Sequence, residues 1–178
     1  MTIQATIDIE TLAIGPDACV LTIGAIKFDP FTKVAPHTDF YVRLDADEQL
    51  DKGRTVREDT LKWWNTQPQE IQDEAFNPVG RLSVEDTLMK LNKYLVGVDK
   101  IWCQGPVFDI GILENMYRQY EKHYNWAFWN IRDSRTLFGL MPEDPRKKFK
   151  FAAHNALEDC RVQSICIQEV YSELQLTR

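Results

Sequence analysis

The amino-acid sequence predicts an α/β fold: a mixed five-stranded sheet, its first three strands antiparallel, flanked by helices. Three observations predict it. Strand signals over residues 3–10, 19–28 and 38–44 follow one another with short connections, as in an antiparallel meander. Helical signals then take over, interrupted by two short apolar strands over 100–104 and 129–132, each followed by a helix. No repeat, low-complexity tract or Ser/Gly-rich linker divides the chain, so residues 1–178 read as a single domain.

Each element has its own signal. Ile3, Ile7 and Ile9 are β-branched, which favours a strand, and that strand ends in Asp8 and Glu10. Gly15-Pro16-Asp17-Ala18 reads as a turn. Residues 19–28 (CVLTIGAIKF) are the strongest strand signal, with Gly24 marking a bulge or a close backbone approach. Residues 57–66 and 68–76 read as short helices, Pro68 suiting a first-turn position. Ser83-Val84-Glu85-Asp86 resembles a capping box opening a helix to about Leu95. Ile110, Leu113, Met116, Tyr117 and Tyr120 form one apolar stripe, predicting a helix over 108–122. A helix from Asp133 or Ser134 to about Met141 follows the last strand. Asn155 caps a final helix to about Leu174.

Composition narrows the function classes. The chain carries 44% hydrophobic and 27% charged residues, and no apolar run approaches the roughly 20 residues of a membrane span. No basic leader precedes the first strand, so the expectation is a cytoplasmic protein with no membrane contact. Cys19, Cys103, Cys160 and Cys166 form no CxxC pair, which predicts reduced core thiols. A formal charge of −6 argues against gripping long duplexes by charge alone. Two divalent cations in an acidic site would add four positive charges to −6, leaving −2.

The acids carry the chemistry. In a strand, side chains at i and i+2 share a face, so Asp8 and Glu10 project together. Side-by-side carboxylates repel unless a cation separates them, and hard divalent cations prefer oxygen ligands. Asp109 lies at a strand-to-helix junction, Asp159 in the first turns of the last helix, and His154 in the loop before it. If the strands holding Asp8 and Trp102 are neighbours, the acids converge. Alone, each has a plainer reading: surface acids at a strand end, helix N-terminal carboxylates favoured by the macrodipole, an exposed loop imidazole. Together they match a two-metal centre for displacement at phosphorus, with a neutral His accepting the water proton.

The motifs Asp8-Ile9-Glu10-Thr11, Phe108-Asp109 and His154-x4-Asp159 resemble the three exonuclease motifs of the DEDDh class, which includes proofreading 3′→5′ exonucleases and ribonuclease T-like enzymes. Thr60-Leu61-Lys62-Trp63-Trp64, Trp102-Cys103-Gln104-Gly105, Phe128 through Asp133, and Phe151-Ala152-Ala153-His154 are similar to the branch that holds bacteriophage exodeoxyribonuclease A and small bacterial exoribonucleases. The resemblance implies a ribonuclease H-like fold and release of nucleoside 5′-monophosphates from single-stranded 3′ ends of DNA or RNA. It implies two Mg²⁺ ions, with Mn²⁺ as a substitute, held by Asp8, Glu10, Asp109 and Asp159, with His154 as general base. Ribonuclease T-like enzymes often pair, so the resemblance leaves a homodimer open; no self-complementary surface is visible in the sequence.

Substrate contacts are expected from Thr11 and Leu12, which follow the first motif. Leu12 can equally be core. Stacking on Phe108 and on one of the adjacent Trp63 and Trp64 is also expected, and Trp64 is the one selected. Arg135 and Lys148, the latter in the basic run Arg146-Lys147-Lys148-Phe149-Lys150, are candidate phosphate contacts. DNA is favoured over RNA. A catalytically inactive nucleic-acid-binding adaptor is the alternative from another class, and it fits poorly because all four acids and the His are present. A small-molecule metal phosphatase is a third reading.

Overall fold

The computed structural model describes residues 2–149 and 154–178. Its centre is a five-stranded sheet in the order β3-β2-β1-β4-β5. β1 (Gln4–Thr11), β2 (Val20–Phe28) and β3 (His37–Arg43) form an antiparallel meander. β4 (Lys100–Cys103) and β5 (Ile131–Asp133) extend it in parallel beyond β1. β1 is therefore central, with β4 as its neighbour, and the adjacency that convergence of the acids requires is met.

The helices are α1 (Ala46–Asp51), α2 (Glu58–Trp64), α3 (Gln69–Phe76), α4 (Val84–Tyr94), α5 (Asp109–Gln119), α6 (Ser134–Phe138) and α7 (Ala156–Glu173). α1 has no counterpart in the sequence reading. Asp45 caps it by accepting from the Glu48 N–H at 3.0 Å, and its buried Gln49 bonds both the N–H and the C=O of Val20 at 2.8 Å. Other elements shift slightly. Pro68 stands at the N-cap of α3 instead of in its first turn. Residues 128–130 form a 3₁₀ turn, so the last strand starts at Ile131 and not at 129. Ser83 caps α4 through the Asp86 N–H at 3.1 Å, as its motif predicts.

The sheet separates two apolar layers. Ala5, Ile7 and Ile9 of β1 join Leu88, Leu91, Leu113 and Met116 of α4 and α5 on one face. Phe28, Trp102, Val162, Ile167 and Val170 pack on the other, under α7. Gly24 lets α7 approach: a Cβ there would lie 2.3 Å from the Ala156 carbonyl carbon. All four cysteines are free and buried. No helix among the described residues is long and apolar enough to cross a membrane.

Candidate active site

The candidate site grows out of the alternation of β1. Ala5, Ile7 and Ile9 face one apolar layer, so Gln4, Thr6, Asp8 and Glu10 all face α7. The Thr6 hydroxyl lies 2.7 Å from Ser164 Oγ and 3.0 Å from the Cys160 carbonyl, locking α7 onto the strand. That docking brings Asp159, near the helix start, beside the strand end. One ligand oxygen each from Asp8, Glu10 and Asp159 lies within 4.8 Å of the other two.

Asp109 reaches the same place from β4. The chain leaves β4 through Gly105, whose φ of 124° is open to glycine, and Phe108 N–H closes the turn onto the Gly105 carbonyl at 2.8 Å. Asp109 then opens α5 and is buried. His154, at φ 69°, donates its backbone N–H to Asp159 Oδ2 at 2.8 Å. Asn155 caps α7, its Oδ1 accepting from Leu157 and Glu158 N–H, as its sequence position predicts.

Electrostatics here are dominated by burial and repulsion. Burial first, then Asp109, Glu10 and Asp159, raises the Asp8 pKa well above the usual carboxylate range, with the Gln163 amide opposing. Burial, then Asp159 and Asp109, pushes Glu10 up to about 8. Burial lifts Asp109 to about 7 against the pull of backbone N–H groups and Arg135. Burial lifts Asp159 to about 6 against the N–H groups of His154 and Asn155. Burial lowers the His154 pKa, which favours a neutral imidazole. Four carboxylates crowded in this way are relieved by positive charge. The donor set is all oxygen and suits a hard divalent cation, so the residues fit such an ion.

Beside the acids lies a cleft of about 420 Å³, lined by Glu10, Thr11, Ile14, Arg57, Trp63 and Phe108 among others. Thr11 and Phe108 stand where the sequence reading puts them, although the Thr11 hydroxyl is engaged by the Ala13 carbonyl at 2.6 Å. Trp64 does not line the cleft. It is 1% exposed, and its indole N–H donates to the Thr11 carbonyl at 2.9 Å. The adjacent Trp63, 39% exposed, faces the cleft with its ring edge-on to His154 at 4.7 Å. Leu12 is likewise core, packed with Leu21, Trp64 and Ile71, and the exposed apolar side chain after the first motif is Ile14. Lys148 is drawn away to Glu169 on α7 and lies over the Phe149 ring. Of that basic run, Arg146 bears on the site by lowering the Asp159 pKa. Arg135 donates to the Gln104 carbonyl at 3.0 Å and acts on Asp109. Lys150 and the Phe151-Ala152-Ala153 match lie outside the described residues.

One buried side chain here has no motif signal. Gln163, one turn after Asp159, donates its amide to Asp8 Oδ1 at 3.4 Å and lies 3.1 Å from Ser134 Oγ. Its i+4 spacing from Asp159 is the only cue that it could share the site.

With this geometry in place, residues 4–171 match the family model described as the 3′-5′ exoribonuclease Rv2179c-like domain. The exodeoxyribonuclease of Enterobacteria phage T4 is 28% identical over 187 aligned residues, covering 86% of this chain and 82% of the relative. Among solved structures, the zinc-bound complex of E. coli exonuclease I with single-stranded DNA superposes with a TM-score of 0.69 at 15% identity, over 98% of this chain. The present chain spans 41% of that protein's length. The nuclease domain of 3′hExo, a DEDDh family member bound to rAMP, superposes with a TM-score of 0.63 at 9% identity, covering 96% and 92% of the two chains. The shared ribonuclease H-like fold agrees with the mixed sheet expected from sequence.

Proposed function

The chain belongs to the Rv2179c-like 3′-5′ exoribonuclease domain family, and from that premise we propose that this DEDDh-class 3′→5′ exonuclease trims single-stranded 3′ ends, releasing nucleoside 5′-monophosphates with two Mg²⁺ ions and His154 as general base. The observation that carries the proposal is the convergence of Asp8, Glu10 and Asp159 within 4.8 Å, with Asp109 the charged neighbour that acts most strongly on Asp8.

Asp8, Glu10, Asp109 and Asp159 are the residues to hold the ions. When bound, the ions lower the pKa of a coordinated water and neutralise charge developing on the scissile phosphate. The rest falls to the chain itself. Burial lowers the His154 pKa, which favours the neutral imidazole that takes the water proton on a ring nitrogen; Trp63 limits the directions in which the imidazole can turn. Thr11, Ile14, Trp63 and Phe108 enclose the terminal nucleoside, so that the scissile phosphodiester on its 5′ side lies over the carboxylates.

DNA is the favoured polymer, supported by the likeness to the phage exodeoxyribonuclease over most of both chains. RNA is the second reading, supported by the family model, whose description names an exoribonuclease. The test is to incubate the protein with matched 5′-labelled single-stranded DNA and RNA in Mg²⁺, Mn²⁺ or EDTA. A metal-dependent ladder shortening from the 3′ end is the expected result, faster on DNA. Faster shortening of RNA would transfer the proposal to an exoribonuclease. Binding with no cleavage of either polymer would overturn it in favour of an inactive adaptor.

A further inference from the structure

We infer that a groove at the outer edge of the sheet, between β3 and the C-terminal half of α4, is a second contact for the substrate strand, gripping phosphates on the 5′ side of the cleaved end; this rests on the nuclease reading above. The groove holds about 610 Å³. Three lysines line it: Lys27 of β2, and Lys90 and Lys93 of α4. Among the described residues none of the three is in an ion pair. The acid that lines the groove, Asp39, is already neutralised by Arg161 at 2.8 Å. A chain of formal charge −6 thus carries a locally cationic groove, and clustered ammonium groups beside an acid already paired with Arg161 suit a polyanion.

The groove is built and not merely exposed. Lys27 Nζ sits 4.8 Å from the centroid of the Tyr94 ring, and Phe40 supports that ring at 5.1 Å. The Tyr94 hydroxyl donates to the Thr38 carbonyl at 2.6 Å. Thr38 is held at φ 61°, an unfavourable region for a β-branched residue, next to the register shift between Ile26 and Lys27. With Lys27 over the Tyr94 ring, the groove offers charge and not a free stacking face. The chemistry it fits is therefore phosphate, not base.

The groove lies around the β3 edge from the acids: Lys27 pairs with Ala5, whose side chain faces the α4 layer, whereas Asp8 faces α7, so a substrate strand reaches the lysines by passing over β3. In the sheet register Asp8 pairs with Gly24, and Gly24 with Tyr41, which lines the groove. Two inter-strand steps place Tyr41 about 10 Å from Asp8. The lysines lie beyond the β3 edge, so a strand of several nucleotides reaches them and a dinucleotide at the cleft does not. Arg161, which neutralises Asp39, lies two residues beyond Asp159 on α7.

The test compares the wild type with Lys27→Glu/Lys90→Glu/Lys93→Glu, and with the triple Lys→Gln variant in case charge reversal disturbs folding. Substrates are a dinucleotide and a dodecamer sharing one 3′ end. We expect dinucleotide kcat/KM to be unchanged. Dodecamer kcat/KM should fall about tenfold or more at low salt, with the slope of log kcat/KM against log salt shallower by up to about 2, from three contacts at roughly 0.7 each. Equal losses on both substrates, or none on either, would overturn the inference. Anisotropy of a labelled dodecamer in EDTA makes the same comparison without turnover. Failure of the nuclease reading, in which the wild type cleaves neither substrate, is thereby separated from failure of the groove. Competition by polyglutamate as strong as by unlabelled dodecamer would also overturn it, marking a site for acidic proteins.

Discussion

The α7-facing side of β1 has two halves that the same strand builds in opposite ways. In the first, Gln4 accepts from the Trp102 indole N–H, and Thr6 bonds the Cys160 carbonyl and Ser164. In the second, Asp8 receives one long amide contact from Gln163, while Glu10 meets chiefly other carboxylates. Buried polar groups are tolerated when paired and costly when not. The first half is closed within the protein. The second is closed only by something positive that the fold leaves room for. The point along β1 where internal pairing stops is where function begins.

Removing a carboxylate from the open half should have the largest effect. Asp8→Ala or Asp159→Ala should reduce turnover to background in a ladder assay, because the proposed two-ion geometry needs every ligand. Retained activity in either variant would remove these residues from the site. His154→Ala should lower kcat by roughly 10²–10⁴-fold. A change confined to KM would argue against the general-base role.

The open half should also announce itself in the pH dependence of the metal-free protein. Glu10, Asp109 and Asp159 have folded pKa values near 8, 7 and 6, above their ordinary values near 4. A raised folded pKa means that the stability contribution is complete below about pH 4 and is lost as pH climbs through 6 to 8. Tm in EDTA should therefore fall over that window, and added Mg²⁺ should restore it most at the alkaline end. A flat Tm profile would contradict the repulsion described here.

Two smaller effects sharpen the contrast. Gln163→Leu should weaken Mn²⁺ binding, read by calorimetry, by about 10–100-fold, as expected when a hydrogen-bond partner of a ligand is lost. Wild-type affinity would show that the 3.4 Å contact does not orient Asp8. Thr6→Ala, in the closed half, should cost roughly 1–3 kcal/mol in denaturant unfolding while leaving kcat unaltered. A kcat loss without destabilisation would erase the distinction between the halves.

By itself the sequence determined the meander, the parallel additions after it, and the order of the acids. These follow from β-branched runs, turn residues and the two-residue period of β1, all of which are local. The cap at Asn155 and the close approach at Gly24 were equally legible, since each has one dominant physical use. The sequence did not decide which of two adjacent tryptophans faces the cleft. Helical periodicity turns Trp63 and Trp64 about 100° apart but does not say where the partner lies, and the Thr11 carbonyl claimed Trp64. Lys148 pointed the wrong way for a similar reason. A long flexible side chain goes to the nearest acid, and Glu169 is 21 residues away in sequence. Helix α1 was hidden because its anchor, Gln49, bonds a strand 29 residues earlier. Gln163 has no motif because its meaning comes from the distance to Asp8, 155 residues away. The tertiary structure decided these cases because each depends on which group arrives first at a partner distant along the chain.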